Sequence, residues 1–268
     1  MPSKGKVRLT DLLVARGFCD DVVKAERMVL AGQVYSDERV LTQPKMLVDP
    51  SLAIRLKPSK CYVSRGGDKL AGALADLSVD VSGKHCLDVG ASTGGFTDCL
   101  LRHGAASVVA LDVAYGQFAW QLRTDERIRL LERTNIREAV PKEIGAPFDL
   151  IVVDLSFVSL HSVMAALVPF CSDKTQLVLL VKPQFELSSS LVQNGVITEV
   201  SLHVLALDQV IEAAISHKLA PQSVTFSPIR GVKGNIEFFL LATFEGIPAT
   251  IDTLGVVTRA HEGLDLRK

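Results

Sequence analysis

Apolar residues change their period along the chain, and the change divides it. Between residues 8 and 57 helical spacing gives way to short β-like runs. Leu9, Leu12 and Leu13 recur on one helix face, and Gly17 is placed to close that helix. Asp20 or Asp21 can cap a second helix, whose apolar face is read as Val22, Val23, Met28, Val29 and Leu30, with Gly32 beyond its end. "QVYS" and "LAIRLK" read as short strands. The polar, proline-bearing "KPSK" at 57–60 then breaks the pattern. The expected organisation is a small α+β domain over 1–58 and a linker over 59–63.

Beyond the linker, strand and helix patterns alternate. "KHCLDVG", "SVVALDV", "RIRLLER", "FDLIVVDL" and "QLVLLVKP" read as strands. "FTDCLLRHG", "GQFAWQLRTD" and "VSLHVLALDQVIEAAISHKL" read as helices. "SVTFSPI" and "IEFFLLATF" are the last strands and can pair antiparallel. Residues 155–172 carry no formal charge and approach the length of a membrane span. They include His161, Pro169 and four serines, so they are read as an interior helix of a soluble domain. Alternation of this kind implies an α/β domain over 64–245, a mainly parallel sheet with helices on both faces. A tail over 246–268 is expected to be helical.

The length of 268 residues suggests one or two domains, and with 48% hydrophobic and 22% charged residues the chain can bury a sizeable core. The net charge of −1 hides a split. Residues 1–60 hold eleven Lys and Arg against seven Asp and Glu, a balance of +4, which leaves −5 for the rest. A basic head on an acidic body suggests that the head meets a polyanion. Cys19, Cys61, Cys86, Cys99 and Cys171 form no C-x-x-C pair and are odd in number. That argues against zinc and against a disulfide framework, and fits a reducing cytoplasm. The six histidines (His85, His103, His161, His203, His217 and His261) form no ligand-spaced group and are read as structural or surface residues. "MPSKGKVRLT" has no apolar h-region, so no secretory signal is expected.

Candidate chemistry centres on "DVGASTGG", where the first strand of the α/β region ends. Ligands of such sheets bind at strand carboxyl ends. Gly90 permits a tight turn, and Gly94 and Gly95 let backbone approach a ligand. Asp112 ends the next strand, at the separation expected of a carboxylate that grips a ribose diol. The spacing is not G-x-G-x-x-G, and Asp88 precedes the turn. An acidic residue there suits a ligand bearing positive groups better than a pyrophosphate. S-adenosylmethionine fits: it has a ribose, an ammonium and a sulfonium, and no phosphate.

The head resembles the small RNA-binding domain of ribosomal protein S4 through "RLTDLL", Gly17, "KAERMVLAGQV", Pro44 and "LAIRLK". The resemblance implies an S4-like domain with Arg8, Arg16, Lys24 and Arg27 on or near its basic helical face. From Val63 to about Phe244 the chain resembles the TlyA, or hemolysin A, family of ribosomal RNA 2′-O-methyltransferases, within the wider FtsJ-like group. The matching stretches are "VSRGGDKL", "DVGASTGGFTDCLL", "ALDVAYGQFAWQLR", "ERTNIR", "FDLIVVDLSFVSL", "LLVKPQFE" and "SPIRGVKGNIEFF". Nothing in the sequence resembles a pore. The resemblance implies a Rossmann-like class I methyltransferase sheet, S-adenosylmethionine as cofactor, and ribosomal RNA or ribosomal subunits as partners, with no metal and no membrane.

Transfer to a ribose 2′-hydroxyl needs a positioned base or a cationic setting for a weakly acidic oxygen. The FtsJ-like group uses a Lys-Asp-Lys-Glu tetrad, which Lys69, Asp154, Lys182 and Glu237 match. By resemblance Lys182 is the base or proton relay, Lys69 is the second cation, and Asp154 and Glu237 orient the two lysines. Gly90, Ala91, Ser92, Gly94, Gly95, Asp112, Asn135 and Asp154 are expected to hold the cofactor, with Asn135 towards the adenine. Ser64 and Arg65 are expected to meet RNA phosphate. Two other readings stay open. "DLSF", residues 154–157, is placed like the segment with which amino-group methyltransferases hold a base, with Phe157 stacking. A catalytically silent RNA-binding protein is the other. A nicotinamide dehydrogenase is disfavoured by the glycine spacing and by the lack of an evident hydride-transfer pair.

Overall fold

Short runs of Val, Ile and Leu, bounded by glycine and charged residues, become the seven strands of one sheet in the computed structural model, which describes residues 5–37, 39–56, 62–192 and 194–265. The chain divides into two units, Met1–Cys61 and Tyr62–Lys268. Of the expected linker at 59–63, residues 59–61 lie outside the described residues, as does Cys61. Tyr62 and Val63 belong to the second unit.

Numbered in chain order within the large sheet, the strands are β1 (His85–Val89), β2 (Ser107–Leu111), β3 (Ile128–Leu131), β4 (Leu150–Val153), β5 (Gln176–Val181), β6 (Leu219–Phe226) and β7 (Phe238–Phe244). Their order across the sheet is β6-β7-β5-β4-β1-β2-β3. Strands β1 to β5 run parallel to one another, and β7 is antiparallel to both β5 and β6. The chain winds outward from β1 to β3 and returns to β4, so the order reverses between β1 and β4. Their last residues, Val89 and Val153, lie opposite one another. That reversal is where an open α/β sheet leaves a crevice for ligand.

Both faces of the sheet are covered, so its parallel strands are apolar throughout. All four residues of β4 are buried. Ile151 and Val153 pack with Val163, Met164 and Leu207 on one face, while Leu150 and Val152 pack with Leu70, Phe96 and Leu100 on the other. The tail forms the helix Thr253–Asp265, which belongs to the larger unit. It carries Val256, Val257 and Ala260 into the first of these clusters. His203, fully buried on the helix Val200–Ser216, meets His261 on that last helix, Nδ1 to Nε2, at 3.0 Å. Burial pulls its pKa down to about 4, which keeps the ring neutral near pH 7.

Several expected elements are shorter or differently placed. "GQFAWQLRTD" yields only the one-turn helix Trp120–Arg123. The run at 155–172 is helical only from His161 to Leu167, followed by a 3-10 turn at Val168–Phe170; 154–160 is a loop. A helix at Arg65–Asp76, capped by Ser64, carries no simple apolar signal because Gly66, Gly67 and Gly72 interrupt it. Strand β6 begins at Leu219, before "SVTFSPI", with a register shift between Pro221 and Ser223. No helix among the described residues is long and apolar enough to cross a membrane.

The head unit holds helices Leu9–Ala15 and Val22–Leu30 with short strands at Val34–Ser36 and Arg55–Leu56. Asp21 is the cap, accepting from the Lys24 backbone N–H at 2.7 Å. The expected apolar face of the second helix needs correction. Ala25 and Val29 are its buried residues, while Val22, Val23 and Leu30 are exposed. At 3.6 residues per turn, positions 25 and 29 share a stripe and positions 23 and 30 lie on the opposite side.

Candidate active site

The turn after β1 has no space for side chains at three positions. Gly90 has φ +88°, and a Cβ there would lie 2.3 Å from the carbonyl oxygen of Asp154. Gly94, at φ +90°, precedes the helix Gly95–Arg102, and a Cβ would come within 2.6 Å of Leu122. At Gly95 a Cβ would lie 2.2 Å from the Ser64 hydroxyl. The turn is therefore pressed against the end of β4 on one side and the start of the Arg65–Asp76 helix on the other. Backbone, not side chain, forms the floor of the crevice.

Two clefts open on this turn. One is lined by Ser64, Arg65, Lys69, Gly90, Gly95 and Asp154. The other runs along Gly90, Ser92, Asp112, Gln117, Asn135 and Asp154. Asp112 follows β2, and its carboxylate accepts from the Ser92 N–H at 2.6 Å and the Ala114 N–H at 2.7 Å. These bonds fix its orientation and leave lone pairs for a diol, since a carboxylate offers about four acceptor positions. Asn135 accepts from the Arg137 N–H at 3.1 Å and lines the same cleft. Ala91 is buried beneath the turn, with Ala110, Phe118 and Leu122.

Asp88 behaves differently from its expected role facing a cationic ligand. Its side chain is fully buried and accepts from the Thr97 hydroxyl at 2.6 Å. Burial pushes its pKa up to about 7, against the Thr97 bond, with Asp154 and Asp112 adding to the rise. It supports the turn from inside, and the acidic residues in the crevice are Asp112 and Asp154.

The four tetrad candidates form two ion pairs. Lys182, just past the end of β5, places Nζ 2.5 Å from Asp154 Oδ1 and donates to the Ser156 hydroxyl at 3.0 Å. Lys69, on the second turn of the Arg65–Asp76 helix, donates to Glu237 Oε2 at 2.6 Å. The lysine side chains are only 9% and 12% exposed, so neither ammonium is loosely solvated. Glu237, which immediately precedes β7, is held by a close backbone approach: a Cβ on Gly231 would lie 2.1 Å from its Oε1. A third cleft, lined by Ser156, Phe157, Lys182, Phe185, Lys233 and Glu237, adjoins these pairs. The clefts on the turn and this third cleft thus meet at the two ion pairs.

Phe157 is 88% exposed at φ +64°, rare for a bulky residue, and its ring lies 5.2 Å from that of Phe185. Ser156 and Gly231 complete the tetrad's surroundings and were not among the expected site residues. A serine and a glycine carry no signal of their own without the fold. Arg65 lines the first cleft and donates to the Arg230 carbonyl.

In the head, Arg8 and Arg27 are exposed. Arg16 and Lys24 are engaged locally. Arg16 donates to the carbonyls of Pro50 and Leu52, and Lys24 pairs with Asp20 at 2.9 Å. Those two charges serve the head's own turns as well as any partner.

Comparison with known proteins adds to this geometry. The FtsJ-like methyltransferase family model matches residues 62–244, and the S4 domain model matches residues 7–54. The chain is 42% identical over 238 residues to the 16S/23S rRNA (cytidine-2′-O)-methyltransferase TlyA of Mycobacterium tuberculosis, covering 88% of this chain and 89% of that protein. It is 34% identical to Hemolysin A of Brachyspira hyodysenteriae, covering 87% and 98%. A solved structure described as a hemolysin from Streptococcus thermophilus is 36% identical, with a TM-score of 0.77 over 98% of both chains.

Proposed function

We propose that this chain, which belongs to the FtsJ-like methyltransferase family and carries an S4 domain, methylates ribosomal RNA in the cytoplasm at a ribose 2′-hydroxyl. The observation that carries the reading is the pair of near-buried ammonium groups, Lys182 on Asp154 and Lys69 on Glu237, beside the glycine turn. S-adenosylmethionine, when bound, supplies an electrophilic methyl group and keeps the bonding pair on sulfur as it leaves. Gly90, Ser92, Gly94 and Gly95 supply backbone to that ligand, Asp112 accepts from its ribose hydroxyls, and Asn135 meets the adenine edge. Asp154 lines both clefts on the turn and so links the cofactor side to Lys182.

On the acceptor side, Lys182 first releases one ammonium proton to solvent and then, as the free amine, takes the hydroxyl proton or relays it. Asp154 and Ser156 hold two of its N–H bonds, which leaves the lone pair of the free amine for the acceptor. Lys69, oriented by Glu237, places positive charge where negative charge grows on the ribose oxygen. A fixed charge in a partly dry site stabilises that oxygen without reorganising at the moment of reaction. The M. tuberculosis relative is a cytidine-2′-O-methyltransferase by name, which supports a ribose hydroxyl as the acceptor.

The exposed Phe157 favours base methylation as a second reading. Replacing the target nucleotide of the RNA by its 2′-deoxy form separates the two. Labelled methyl transfer should stop if the acceptor is the ribose oxygen. Continued transfer to the deoxy RNA would overturn the proposal in favour of a base.

Asp112→Ala is expected to weaken S-adenosylmethionine binding by about 10- to 100-fold, because hydrogen bonds to a charged acceptor contribute about 1.5–3 kcal/mol. Calorimetric titration of the folded variant checks this, and unchanged affinity would remove Asp112 from the ribose site.

RNA binding is assigned, in the head, mainly to Arg8 and Arg27 with Arg16 and Lys24 contributing through charge, and, in the larger unit, to Ser64 and Arg65 at the cleft. Each phosphate contact removed should make the slope of log affinity against log salt shallower by about 1. Arg8→Ala with Arg27→Ala should therefore flatten the slope by about 2. Equal slopes for variant and parent would show that these arginines meet no phosphate.

A further inference from the structure

Two segments flank the acceptor cleft, the loop 154–160 after β4 and residues 182–186 after β5. Lys182 ties their near ends together through Asp154 and Ser156. A second tie joins their far ends. Glu186, last residue of the short helix Pro183–Glu186, accepts from the Ser159 hydroxyl at 2.7 Å and the Leu160 backbone N–H at 3.0 Å. Between the two ties stand Phe157, on its left-handed backbone, and Phe185, 5.2 Å away. We propose that Glu186 is a positioning residue for methyl transfer: by clamping Ser159 and Leu160 it fixes the loop that carries Ser156 and Phe157, and so sets the direction of Lys182 towards the acceptor. The assignment rests on the reading of this site as a ribose methyltransferase.

The argument is one of constraint. The Asp154 backbone is anchored independently, its N–H donating to the Val89 carbonyl at 3.0 Å. Among the described residues, Ser156 has no such backbone anchor on the sheet. Its hydroxyl is useful to Lys182 only if the loop around it holds still, and the loop contains a residue in a sparsely populated conformation that must be held from outside. Glu186 provides that hold from the other side of the cleft. Its carboxylate is partly buried, and its hydrogen-bond donors, Ser159 and Leu160, both belong to this one loop. A partly buried carboxylate so bonded is a stiff tie, because breaking it leaves charge poorly solvated. Glu186 itself lines a different groove, with His161 and Glu212, and is not among the residues of either cofactor-side cleft. It therefore acts on the reacting groups through the loop.

The test compares Glu186→Ala, Glu186→Gln and Ser159→Ala in the full chain, measuring kcat, KM for RNA, S-adenosylmethionine affinity and thermal unfolding. Misplacement of a reacting group by about 1 Å can cost about 100-fold. Glu186→Ala should lower kcat by about 10- to 100-fold, with S-adenosylmethionine affinity within about twofold of the parent. Glu186→Gln should recover most of the rate, since its amide oxygen can accept from Leu160 and its NH₂ can donate to the Ser159 hydroxyl. Ser159→Ala, which removes one donor and leaves the carboxylate in place, should fall between them and serves if Glu186→Ala does not fold. Folded variants that keep the parental kcat would overturn the proposal. So would a loss that follows cofactor affinity instead of kcat, or that glutamine does not restore. Failure of the underlying reading looks different: the parent itself would methylate 2′-deoxy RNA.

Discussion

Lys182→Ala should slow methyl transfer by about 10²- to 10⁴-fold, the usual cost of removing a positioned proton acceptor. S-adenosylmethionine affinity should change little, because Lys182 acts on the acceptor side of Asp154 and its contribution is made in the transition state. Lys182→Arg should not restore the rate. Arginine stays protonated, and its planar fork does not reproduce the compact contact with Asp154 Oδ1 and Ser156 Oγ. Single-turnover transfer of a labelled methyl group, beside calorimetric binding, reads the two quantities separately. An active Lys182→Ala protein would sink the assignment of this lysine. A parallel loss of cofactor affinity would move Lys182 to the donor side.

Gly90→Ala should have an effect of similar size by a different route. Alanine at φ +88° costs about 1–2 kcal/mol from backbone conformation alone. Its Cβ would also lie 2.3 Å from the Asp154 carbonyl oxygen, which is backbone and cannot rotate away. Gly90 N–H donates to Leu111 O at 2.9 Å, and Asp154 N–H to Val89 O at 3.0 Å, so both sides of the clash are pinned to the sheet. The turn must shift, taking Asp154 with it. A combined cost near 3 kcal/mol corresponds to a loss of about 100-fold in cofactor affinity, with a melting temperature lower by several degrees. Gly145→Ala is the matched control. It also has positive φ, +98°, but nothing stands within 4 Å of the added Cβ, so it should lose a little stability and no affinity.

The parallel strands were legible because both faces of the sheet are buried, which forces unbroken apolar runs such as "LIVV". The glycine turn and Asp112 were legible because their spacing follows from strand-to-strand geometry. Other features depended on contacts that leave no local trace. Gln117 to Trp120 looked helical, but the Ala119 N–H is used to hold the Thr93 carbonyl at 3.1 Å and Phe118 is buried under the turn, so only one helical turn follows. The loop at 154–160 looked like the start of a helix, yet Phe157 has positive φ and Ser159 and Leu160 are taken up by Glu186. Gly67, which hid the helix at Arg65–Asp76, is needed because a Cβ there would lie 2.2 Å from Tyr62. Asp88 looked like a ligand group because sequence position at a strand end does not say which way a side chain turns. The four tetrad residues could be named from resemblance, but their pairing is a product of the folded sheet.

That pairing also sets an order of events. Lys69 and Glu237 are 168 residues apart in the chain, and Glu237 reaches its lysine only as β7 docks between β5 and β6. Contacts closed over so long a stretch form late, because chain entropy must be given up before they contribute. A chain emerging amino end first can already hold the glycine turn, Asp112 and the Lys182–Asp154 pair while its last strands are still being made. The second ammonium then has no partner. On the proposed mechanism, the cation that faces the ribose oxygen is therefore oriented only once β7 has docked, however early the cofactor turn has formed.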